Sequence, residues 1–176
     1  MIKKLALTLT VIALSACSTM QPPRYSISVD NNQALKQMNT INGEFVSLTQ
    51  SVKFNSNCRL MGPIEPADGL SIPEFITKAF NDELMMADRH TDDGVKITGD
   101  ITKVAYSSVS GYWDLGLILR SSNGESLNVD NKHSFESGFD AITACNASAD
   151  ALSPAVQDLI KATINHPDFE LLMTKK

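Results

Sequence analysis

Reactive signatures are scarce in this sequence. Its 176 residues hold three cysteines, three histidines and one tryptophan, and aromatic residues make up only 6%. No phosphate-cradling loop is present, since Gly62 and Gly69 fit neither glycine fingerprint. Ser108-Val109-Ser110-Gly111 lacks the flanking glycine of a nucleophile elbow. His90, His133 and His166 fall in a loop, a strand and a helix end, too scattered for a metal motif. Asp88 to Gly94 has the acidity of a calcium loop but not its spacing: Asp93 stands where the glycine belongs, and Gly99 where the closing glutamate belongs. The negative net charge argues against nucleic acid or anionic headgroups as partners of the whole surface, and no run of like charge marks a basic patch. These absences predict a chain that is not an enzyme and has no cofactor or metal.

What is present begins at the N-terminus. Lys3 and Lys4 precede an apolar run from Leu5 to Leu14, which Leu14-Ser15-Ala16-Cys17 closes. That layout is an export signal and not part of the fold. The run of ten residues is too short to cross a membrane, which takes about 20. Cleavage after Ser15, with Ala13 and Ser15 as the small residues, is one reading. The other rests on a resemblance: Leu14-Ser15-Ala16-Cys17 resembles the lipobox of bacterial lipoproteins. That resemblance implies a diacylglycerol on the Cys17 sulfur, cleavage just before Cys17, and a further acyl chain on the freed amine. Ser18 in place of aspartate then implies transfer to the outer membrane, facing the periplasm.

Removing residues 1–16, which hold two lysines and no acidic residue, takes the formal charge from −5 to −7. The remaining 160 residues suffice for one domain with a real core. Cys58 and Cys145 are an even pair in an exported chain and are predicted to form a disulfide, with two buried free thiols as the alternative.

Along the chain, residues 17–45 read as a lipidated N-terminus and flexible tether, because Pro22-Pro23 and Asn31-Asn32 interrupt any periodicity. Only Tyr25 to Val29 suggests a short strand. Residues 46–176 read as a single domain. Ser51 to Leu60 predicts a first strand with Val52, Phe54 and Cys58 on its apolar side. Ser71 with Glu74 is a capping box, and Ile72, Phe75, Ile76, Ala79, Phe80 and Leu84 form a helical stripe. Three strands follow, from Val95, Trp113 and Leu127, with a bulge predicted near Thr102 to Lys103. A three-residue turn, Ser122-Asn123-Gly124, keeps Arg120 off the apolar face and pairs Leu119 with Leu127 and Leu117 with Val129. It also sets Leu115 across from Asn131 and Trp113 across from His133, which is expected to stack on the indole. A final helix starts at Asp140 and kinks, or divides in two, near Pro154, and Pro167 lies just past its end, before a short tail. The fold class is therefore α+β: a largely antiparallel four-stranded sheet with two helices on one face, in the order β-α-β-β-β-α.

The stiff loop from Gly62 to Gly69, carrying Glu65 and Asp68, is the candidate interaction loop. Gly62-Pro63-Ile64, Pro66, Asp68-Gly69, Ala79-Phe80, Asp82-Glu83-Leu84 and Ser121-Ser122-Asn123-Gly124 together resemble a family of uncharacterised proteobacterial envelope lipoproteins. The likeness spans most of the mature domain and implies no activity. The element order is also loosely similar to YajG-type and LptE-like periplasmic lipoproteins, a likeness of fold alone. The expected role is a non-catalytic accessory contact with an envelope protein. A ligand-binding or hydrolase-inhibitor module, needing an apolar groove between helices and sheet, is the alternative, and an envelope hydrolase comes third.

Overall fold

Alternating apolar residues from Val95 to His133 build most of the sheet seen in the structure, a computed structural model that describes residues 20–175. The expected signal and Cys17 lie outside the described residues. The elements run α1 (Val29–Gln37), β1 (Gly43–Gln50), α2 (Ile72–Met86), β2 (Val95–Ser107), β3 (Tyr112–Ser121), β4 (Ser126–Ser134), α3 (Ala141–Asp150), α4 (Leu152–Ile164) and α5 (Phe169–Met173). The sheet order is β1-β2-β3-β4, with β1 parallel to β2 and the other pairs antiparallel. The α+β class and the four-stranded sheet match expectation, and the single parallel pair makes the sheet mixed.

The register of β3 on β4 is the one that the three-residue turn dictates. Leu119 pairs with Leu127, Leu117 with Val129, Leu115 with Asn131 and Trp113 with His133. Gly124 holds the turn at φ +93°, where a side chain would be strained. A register shift between Ile101 and Lys103 marks the predicted bulge, so Ile101 and Val104 both face the core. On the solvent face lie Thr98, Arg120, Asn128 and Lys132.

Ser71 starts α2 as expected. Its hydroxyl accepts the Glu74 N–H, and the Glu74 carboxylate accepts the Ser71 N–H at 2.8 Å. Those backbone and hydroxyl donors hold the Glu74 carboxyl below its ordinary pKa. Removing the cap with Ser71→Ala is expected to destabilise the protein by about 1 kcal/mol, read from urea unfolding. Helices α2 and α4 cover one face of the sheet and touch each other, α2 over β1 and α4 over β3 and β4. The final helix divides at Ala151, three residues before Pro154.

Three expectations need correction. The tether assigned to residues 17–45 is, over its described part, folded: α1 lies across α2 and α4, and Met20, Leu35 and Ile41 are buried. Ser28 caps α1 by accepting the Asn31 N–H, a signal hidden among adjacent polar residues. Tyr25 to Val29 forms no strand. The domain therefore starts well before residue 46. Second, the first strand is Gly43–Gln50, not Ser51 to Leu60; a register shift between Phe45 and Ser47 breaks the alternation that would have marked it. Third, the tail after Pro167 is α5, whose Phe169, Leu172 and Met173 are buried.

The outer edge of β1 is covered by side chains of α2. The Asn81 amide accepts the Phe45 N–H at 2.9 Å and donates to the Phe45 carbonyl at 2.8 Å. Thr77 Oγ1 accepts the Leu48 N–H at 3.2 Å.

Candidate functional site

Beyond Gln50 the chain leaves the sheet but stays extended. Val52, Phe54, Ser56 and Cys58 turn inward while Lys53, Asn55, Asn57 and Arg59 turn outward. The alternation was legible, and the ladder it implied is absent: among the described residues this stretch pairs only through a bridge from Asn57 to Pro63. Cys58 is bonded to Cys145 on α3, with Sγ–Sγ 2.04 Å, which ties the end of this segment to that helix. The predicted disulfide is thus present.

This segment forms one wall of an open cleft of about 430 Å³, whose other wall is the end of β2. Phe54 and Tyr106 line it, with ring centroids 6.0 Å apart, and Tyr106 stacks on Trp113 at 4.9 Å. Tyr106 O–H donates to the Ser56 carbonyl at 3.2 Å, and partial burial raises its pKa. Arg59 sits at φ +50°, a conformation costly for a side-chain-bearing residue and concentrated at functional sites. Its Nε donates to Ser108 Oγ at 3.3 Å and its Nη2 to the Ser108 carbonyl at 3.1 Å. The lining holds Lys53 and Arg59 and no carboxylate, in a chain whose overall charge is negative. Such a wall favours acidic or amide-rich surfaces.

The two residues picked from the sequence do not share a site. Glu65 is exposed and borders a second cleft of about 430 Å³ with Gln50, Phe54 and Leu70. Asp68, at φ +62°, pairs instead with Arg24 at 2.8 Å. It holds the N-terminal segment. That segment is gripped further along by Glu83 on α2, whose buried Oε1 accepts Tyr25 O–H at 2.6 Å and the Ser28 N–H at 2.8 Å. Burial, then the Glu83 carboxyl, pushes the Tyr25 hydroxyl far above its ordinary pKa. On the α4 side, Asn31 Nδ2 donates to the Gln157 carbonyl and Lys161 pairs with Asp30.

His133 does not stack on Trp113. Its Nδ1 lies 2.8 Å from Asp158 on α4, and Trp113 Nε1 donates to the Ser148 carbonyl from within an aromatic cluster. The register was right; the aspartate one layer above offered the imidazole a stronger partner than a ring face. Glu44, His90 and Asp92 bring one ligand atom each within 4.8 Å of one another. Sequence reading, which expected no metal site, missed this grouping because Glu44 fell in the presumed tether. Lys96 Nζ already occupies Glu44 Oε1 at 2.5 Å, and it and His90 hold the Glu44 carboxyl below its ordinary pKa.

The apolar groove required by a ligand-binding module is filled over most of the helix–sheet interface, where Leu117, Leu119, Leu152, Val156 and Ile160 are fully buried. Among the described residues, space remains at the outer edge, where β1 and α2 leave about 560 Å³ bordered by Val46, Leu48, Thr77, Lys78 and Met85. Among the described residues, no helix is long and apolar enough to cross a membrane. Compared with family models and with curated proteins, the chain matches none.

Proposed function

We propose that the chain is an outer-membrane-anchored periplasmic lipoprotein with a non-catalytic accessory role, acting through contact with another envelope protein. The observation that carries this reading is the Cys58–Cys145 bridge. Disulfides persist in oxidising compartments such as the periplasm. The cysteine left over is Cys17, in the position where the lipobox resemblance puts the acyl chains. An accessory role is supported by how the ionisable side chains are employed. Glu83 clasps the N-terminal segment, Glu74 and Asp140 cap helices, and His133 ties β4 to α4.

The contact surface is the cleft along Lys53, Asn55, Asn57 and Arg59. A photoreactive amino acid at Asn57 in the full-length protein, irradiated in intact cells, is expected to trap one defined envelope protein. The same residue at Lys132, on the solvent face of the sheet, is not. Repeated absence of any adduct from the Asn57 position counts against the reading.

A second reading, a ligand-binding or hydrolase-inhibitor module, is favoured by the edge groove between β1 and α2. It requires Met85→Arg to abolish binding of an apolar probe, with no effect on the Asn57 adduct.

A further inference from the structure

The three most exposed large apolar side chains among the described residues are Phe139 at 105%, Leu60 at 101% and Val109 at 79%. They sit on three different loops, and those loops share one atom. The Ser108 carbonyl accepts Arg59 Nη2 at 3.1 Å and Ser137 Oγ at 2.5 Å. Leu60 follows Arg59, Val109 follows Ser108, and Phe139 lies two residues beyond Ser137. The Cys58–Cys145 bridge locks the first loop to α3, which starts two residues after Phe139. Scattered single apolar side chains are ordinary on a protein surface; these three stand on loops fastened to a common point.

The same end of the molecule receives the N-terminal segment. Met20 is buried and forms a parallel bridge with Ile64, at the base of the hairpin whose tip is Leu60. Cys17 precedes Met20 by three residues, so it lies within about 11 Å of this bridge whatever path is taken.

We infer that this end rests on the lipid surface that holds the anchor, with Leu60, Val109 and Phe139 entering the interfacial region of the bilayer. The inference depends on the lipidation of Cys17 proposed above. Lys53 and Arg59 belong to the cleft beside the array, which Val109 also borders; Glu136 and Asp140 lie on the third loop, and Asp140 is engaged in capping α3. Apolar insertion therefore holds the contact, and net attraction to anionic lipid is not required. Phospholipid is the occupant that these observations favour, because the anchor confines the array to the bilayer surface.

Bromolipid quenching of tryptophan emission tests this. The full-length lipidated protein is purified from cells, checked for acylated Cys17 by mass spectrometry, and reconstituted into phosphatidylethanolamine–phosphatidylglycerol vesicles carrying brominated acyl chains. Native Trp113 is fully buried and sets the background. Leu60→Trp and Phe139→Trp are expected to lose emission. Leu171→Trp is not, because Asn123 fastens Leu171 to the β3–β4 turn, at the far end of the ten-residue strand β3 and about 30 Å away. Unquenched emission at positions 60 and 139 in a chain that floats with the vesicles overturns the inference and leaves the anchor standing; so does equal quenching at all three positions. A chain without lipid on Cys17 overturns both.

Discussion

Reduction of the Cys58–Cys145 bridge, or replacement of both cysteines by alanine, is expected to lower the unfolding free energy by about 4–5 kcal/mol. The two cysteines are 87 residues apart, so the bridge removes a large loop-closure entropy from the unfolded chain. Folded-state contacts change far less, since both residues are buried and the surrounding packing remains. The check is a pair of urea unfolding curves, oxidised and reduced, with the loss visible in the transition midpoint. A loss below about 1 kcal/mol would mean that the unfolded chain is already constrained without the bridge. A local effect accompanies the global one. The segment from Val52 to Gly62 has little ladder of its own, so hydrogen exchange there is expected to accelerate before the sheet opens.

Glu83→Ala is expected to cost about 3 kcal/mol and to free the N-terminal segment from the fold. The substitution leaves Tyr25 O–H and the Ser28 N–H without the buried carboxylate that accepts both. Glu83→Gln keeps an acceptor oxygen and is expected to recover most of the loss. Limited proteolysis followed by mass spectrometry distinguishes the two effects. New cleavage between Met20 and Gln37 in Glu83→Ala, with the sheet still protected, is the expected pattern. Cleavage that spreads at once into β2 and β3 would make the segment part of the folding core instead.

Where the sequence spoke clearly, strong local rules were at work. The turn at Asn123-Gly124 fixed the whole β3–β4 register, because a one-residue slip would have placed Arg120 on the apolar face. The capping box marked the start of α2 to the residue. The elements that went unread owe their order to distant partners. The apolar residues between 20 and 41 follow no clean period, and the segment is fastened by Glu83, Gln157 and Lys161, which lie more than fifty residues away. The irregular β1 lost its alternation at the register shift, so the cleaner pattern of the next ten residues took its place. Among site residues, the disulfide was legible from cysteine parity and compartment. Lys53, Asn55, Asn57 and Arg59 were visible as the polar half of an alternation, but their cleft was not, since its other wall is fifty residues downstream. The array at Ser108 needed three loops to meet, which no window of sequence can display.

The amide of Asn81 does for β1 what a neighbouring strand would do, engaging both a backbone donor and a backbone acceptor of Phe45. Sheets whose margins are bare recruit extended segments from other molecules and grow into fibrils. Here that margin is spoken for by a side chain of the same molecule, so any incoming segment would first have to evict it. The protein can thus be crowded against its own copies without its β1 margin becoming a seed for cross-β growth.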